Sequence, residues 1–157
     1  MMPYPVVQVA ETILREAKSV GRALTPMQLI KLTYIAHGWS LAVTGRDLFE
    51  DRIEAWKYGP VIPALYQATK HFGGAEIPLN MVGDPNVTLL EAPDAALVKD
   101  VYKKYGHLSG VQLSALTHRA GSPWHQVYRD GVMNIEITDD IIRTHYTALL
   151  NDRRSAA

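Results

Sequence analysis

Six histidines, two adjacent aspartates and a set of tryptophans and tyrosines are the residues of this 157-residue chain that could do chemistry. A metal site needs imidazoles and carboxylates that converge. His118 and His125 stand seven apart with Gly121-Ser122-Pro123 between them, and no histidine pair has i,i+4 spacing beside a carboxylate. A metal hydrolase built on that pair is therefore the weakest reading. Asp139 and Asp140 would point about 100° apart on a helix and could not share a substrate. They suit the positive end of a helix dipole instead. Cysteine is absent, which removes thiolate nucleophiles, disulfides and cysteine-ligated zinc or iron–sulfur centres. A reducing, cytoplasmic home is compatible with that. The serine-hydrolase elbow, the two-histidine zinc helix, the phosphate loop and the dinucleotide fingerprint are all missing. The expectation is a protein that is not an enzyme, with no cofactor and no metal.

Binding is the better use of what remains. The chain has three tryptophans and eight tyrosines. Trp39, Trp56, Tyr58, Tyr66 and Trp124 all fall near turns or the central helix, where they either pack the core or line a groove. His37 reads as a hydrogen-bonded interior or interface residue. Residues 93–119 resemble a helix–turn–helix, with Gly106-His107-Leu108 as the turn. The second helix offers Gln112, Ser114, Thr117, His118 and Arg119, some of which could read base edges. Against this, Lys plus Arg and Asp plus Glu are 16 each, so the basic excess of a nucleic-acid binder is missing. Lys99, Lys103 and Lys104 read as a solvated edge.

These residues need a scaffold, and its outline is visible. Apolar positions at three- and four-residue steps predict a helix over 5–20. Thr25-Pro26-Met27-Gln28 is a capping box with proline at the first helical position, opening a helix to about Val43. That helix is apolar on nearly every side, so it belongs at the centre of a bundle. Leu48-Phe49 and Ile53–Trp56 read as short strands or a ribbon, which residues 87–90 could join. Tyr58-Gly59-Pro60 and Pro63 force a turn before a helix over 62–72. Residues 73–92 are a loose excursion. Further helices are expected from Pro93 to Gly106 and, behind a second capping box at Ser109, to Arg119. A helical turn at 124–128 and a helix from Thr138 to about Leu150 complete the series. The fold class is mainly α. It is a single compact domain, residues 1–150, of about six to seven helices around a central one with a minor β ribbon. Residues 151–157 read as a polar tail. No apolar run is long enough to span a membrane, and no signal peptide is expected.

The run Thr25–Ala42, TPMQLIKLTYIAHGWSLA, resembles the signature helix of the Panacea domain, the SocA-like family of bacterial antitoxins and phage-associated proteins. The block Leu48–Tyr66 strengthens the likeness, because EAWKYGPVIPALY from Glu54 is similar to the family's central motif. Leu108–His118 and Ser122-Pro123-Trp124 fit its C-terminal half. One departure is His37, where the family more often has Gln.

The resemblance implies a cytoplasmic antitoxin that neutralises a toxin encoded beside it. In the SocA-like branch it implies a proteolytic adaptor that delivers the toxin to the ClpXP protease through ClpX. Candidate partner contacts are Lys31, Trp39, Trp56, Lys57, Tyr58 and Tyr66. Gly59, Pro60 and Pro63 shape the turn that presents them. Ala156 and Ala157 resemble the C-terminal signals that ClpX reads. Two alternatives stay open beside this reading. One is a DNA-binding regulator using residues 93–119, DNA being the less favoured partner. The other is an antitoxin that occludes its toxin without proteolysis.

Overall fold

The computed structural model describes residues 3–79 and 90–156, with side chains as far as Arg153. Its organising element is the helix Pro26–Thr44, here α2, which follows α1, Val6–Ser19. Both halves of the expected capping box form. The Gln28 N–H donates to Thr25 Oγ1 and the Thr25 N–H donates to Gln28 Oε1 at 3.0 Å. Gly45, in a left-handed conformation, ends α2 and donates its N–H to the Leu41 carbonyl. Every residue from Leu29 to Leu41 is buried, as an all-round apolar helix requires. Fully buried Leu29, Leu32 and Ile35 each contribute roughly 1.5–3 kcal/mol of burial free energy.

The other helices are α3, Pro63–Thr69, continued by a 3-10 turn at Lys70–Phe72; α4, Ala92–Tyr105; α5, Gly110–Thr117; α6, Pro123–Val127; and α7, Asp139–Ala156. Helices α7, α4, α1 and α5 surround α2. The tightest approach is at Gly38, where a Cβ would overlap the ring of Tyr146 on α7. The N-terminal segment is tied down as well. Tyr4 pairs with Phe49 and its hydroxyl donates to Asp94 Oδ2 on α4 at 2.6 Å.

A small antiparallel sheet lies beside the bundle, in the order β2-β1-β3, with β1 at Glu54–Trp56, β2 at Gly59–Val61 and β3 at Ile135–Glu136. β1 and β2 form a hairpin with Trp56 opposite Gly59, so Lys57 and Tyr58 are its tip. Gly59 carries the positive φ of this hairpin, 118°.

The mainly α architecture agrees with the expectation, and three details differ. The ribbon expected over 48–56 is a strand only from Glu54. Leu48 and Phe49 are core residues held by Tyr4, and the return strand starts at Gly59. Residues 135–136, to which the sequence assigned no element, form β3 because β1 offers an open edge. The polar stretch expected as tail continues α7 to Ala156, with Arg153, Arg154 and Ala156 as its good helix formers. All but Leu90 of the strand expected at 87–90 lies outside the described residues.

Candidate partner-binding groove

Five of the six candidate contacts line one groove of about 480 Å³. Lys31 comes from α2, Trp56, Lys57 and Tyr58 from β1 and the hairpin tip, and Tyr66 from α3. The positioning is local. Pro63 starts α3 and so swings Tyr66 back towards the hairpin, where its ring meets Trp56 edge-on at 4.9 Å. The hairpin is pinned from behind by α5 and α6. Ser114 Oγ donates to the Tyr58 carbonyl, and Trp124 Nε1 donates to the Trp56 carbonyl, both at 2.5 Å. Tyr58 is left 64% exposed at the tip, with the Lys57 ammonium 5.6 Å from its ring centre.

Lys31 is the unusual member. It is 3% exposed, and its ammonium donates to the Pro60 carbonyl at 2.8 Å. Among the described residues no carboxylate pairs with it. Burial pushes its pKa down to about 8. Gly59 makes room for it, because a Cβ there would sit 3.2 Å from Lys31 Nζ. The nearby Glu54 is already engaged, accepting from Arg52 Nε at 2.8 Å and Trp56 Nε1 at 3.0 Å. Burial works against the Glu54 carboxylate, but the bonds from Trp56 and Arg52 outweigh it and hold its pKa below the ordinary value.

Trp39 does not belong to this groove. It lies eight residues further along α2, about 12 Å on. There it donates to the Tyr105 hydroxyl at 3.1 Å and packs beneath Lys104 and Arg153 in a separate cleft. Residue type grouped it with the others; the helix separates it from them. Conversely, Met27 and Lys70 line the groove and were not singled out. Met27 stands four residues before Lys31 in the same helix, a spacing that places both on one face. Lys70 carries no comparable signal. Of the two terminal alanines, Ala156 is the end of α7, and Ala157 lies outside the described residues.

The residues weighed for other chemistry have other work. Gln112 caps α5 through Ser109, and Ser114 and Thr117 are buried. His118 bonds the Ser114 carbonyl and meets Trp124 edge-on at 5.2 Å. Four of the five side chains proposed to read bases thus face inward or cap a helix. His125 Nδ1 accepts from the Gly121 N–H at 3.3 Å.

His37 is an interior residue, 1% exposed, between the Leu48 N–H and Asp139. With Asp47 these groups lie close enough to consider a cation, all three ligand atoms within 4.8 Å. The tautomer argues against it. Nδ1 accepts from Leu48, so Nε2 carries the proton and donates to Asp139 Oδ1 at 2.8 Å, leaving no lone pair for a metal. His37 holds the Asp139 carboxyl below its usual range, while the bond to Asp139 pushes Asp47 up.

A family model described as "Antitoxin SocA-like, Panacea domain" matches residues 29–125. That span contains all six candidate contacts. Antitoxin SocA of Caulobacter vibrioides (strain NA1000 / CB15N) is 27% identical over 150 residues, covering 88% of this chain and 80% of that protein. No solved structure matches. No described helix is long and apolar enough to cross a membrane. Extending over well more than half of the chain, the match shows that this protein belongs to the SocA-like Panacea-domain antitoxin family.

Proposed function

We propose that the chain is an antitoxin that binds a toxin protein encoded beside it, and that the groove between α2, the β1–β2 hairpin and α3 is the contact surface. Family membership carries the antitoxin reading. The groove is supported by its make-up: exposed Tyr58 and Met27 at the rim, aromatic walls, and a hairpin tip held rigid from behind. Rigid aromatic groups beside a concavity are what binding hot spots use. A non-enzymatic, cytoplasmic protein fits this reading. Neutralisation by delivery to ClpXP is the finer proposal. It rests on the likeness to the SocA branch, and Ala156 and Ala157 are its proposed recognition residues.

Co-expression with the adjacent reading frame, with and without ClpX, tests both levels. Growth rescue that needs ClpX, with a shortened toxin half-life, is the expected result. Rescue without ClpX would replace delivery by occlusion. A neighbour that is not toxic would remove the antitoxin reading and make binding to the chain's own promoter the next measurement.

A further inference from the structure

A lysine ammonium offers three N–H donors. Lys31 uses one, to the Pro60 carbonyl, and is shielded from water. Buried lysines are rarely kept without a counter-ion, because an unpaired charge in a low-dielectric site is costly. The described part of the groove supplies none. Among the described residues no acidic side chain lines it, and Glu54 is taken by Arg52 and Trp56. Lys57 and Lys70 add two more cations at its rim, although the whole chain has a net charge of zero. The positive charge is thus concentrated where the walls are apolar and aromatic, at Ile30, Val61, Trp56 and Tyr66.

Resting on the toxin-binding reading above, we infer that this groove receives an acidic side chain of the toxin, an Asp or Glu beside an apolar or aromatic residue, with Lys31 as its counter-ion. The two spare N–H groups donate to the carboxylate, while the neighbouring toxin side chain packs against Trp56 and Tyr66. Lys57 and Lys70 steer the approach from the rim. A single point cation on the floor suits one carboxylate. A phosphate chain, which lysine also binds as a point charge, is the rival occupant that displacement by ATP tests.

The test is a double-mutant cycle on the full-length complex. Lys31→Met is paired with a scan of the toxin that converts each Asp to Asn and each Glu to Gln, and affinities are measured by calorimetry. Lys31→Met is expected to weaken binding on the order of 100-fold, the scale for truncating one partner of a buried charge pair. One toxin substitution should do the same and add little on top of Lys31→Met. Lys57→Ala with Lys70→Ala should slow association several-fold and flatten its salt dependence.

Wild-type affinity across the entire acid scan overturns the inference, and does so even if Lys31→Met fails to fold. Full additivity with Lys31→Met overturns it too, as does displacement of the toxin by ATP. Absence of any binding by the wild-type chain overturns the antitoxin reading and this inference with it. Binding without coupling overturns the inference alone.

Discussion

Replacing Lys31 by Met turns its burial into a measurable pH dependence. The ammonium has a pKa near 8 in the folded protein against an ordinary 10.5. Below pH 8 the lysine is charged in both folded and unfolded chains, and the full cost of burying it is present. Between 8 and 10.5 the folded protein has released the proton while the unfolded chain still holds it. Wild-type stability therefore rises with pH through this window. At about 1.4 kcal/mol per pH unit, the gap is worth about 3 kcal/mol. Near neutrality that cost is partly offset by the bond to the Pro60 carbonyl, worth about 1.5–3 kcal/mol for a charged donor. The two proteins should thus have similar stability at pH 7, and the wild type should lead by about 3 kcal/mol as pH 10.5 is approached. Urea unfolding followed by tryptophan fluorescence from pH 7 to 10.5 gives the difference. Buried Tyr34 and Tyr146, whose ionisation is suppressed by burial, are common to both proteins and cancel. A difference that stays flat with pH would refute the account of Lys31 as a buried cation that no described carboxylate pairs with.

Gly59→Ala forces an alanine to φ 118° and brings its Cβ against Lys31 and Thr117; a loss of about 1–3 kcal/mol is expected, read as a lowered melting temperature. Gly38→Ala drives a methyl into Tyr146 at the α2–α7 contact and should cost about 1–3 kcal/mol in urea unfolding. Asp139→Ala removes the acceptor of the buried His37 N–H. About 1–3 kcal/mol should be lost by the same assay, and an unchanged midpoint would show that water serves His37 equally well. Thr25→Ala breaks the capping box of the central helix and should cost about 1 kcal/mol, seen by circular dichroism on heating.

Much of the helical framework was legible because its stops and starts are chemical. Thr25 with Gln28, and Ser109 with Gln112, announce two helices, and both boxes form. Burial of α2 on all sides follows from its composition. Contacts made over long separations were not legible. His37 meets Asp139 across 102 residues, and Tyr4 meets Asp94 across 90. β3 is two residues long, too short to show alternation, and exists because β1 has an edge to offer. The groove was half legible. Lys57 and Tyr58 could be placed at a turn from Gly59 and Pro60. That Lys31 would be buried under that turn with no counter-ion among the described residues depends on where Pro60 comes to rest, 29 residues away. Trp39 shows the opposite error, since aromatic type alone does not tell one end of a helix from the other.

The most extensive neighbour of α2 is α7, and the two are separated by the whole of residues 45–138. On the ribosome the central helix is therefore made long before Ile142 and Tyr146 exist to cover it. During that interval an unusually apolar helix lacks its principal cover, which is when nascent chains are open to chaperones, proteases and aggregation. Full cover of the core must therefore await a late-synthesised segment. A transcript interrupted before residue 142 would yield a chain whose central helix has lost its main contact.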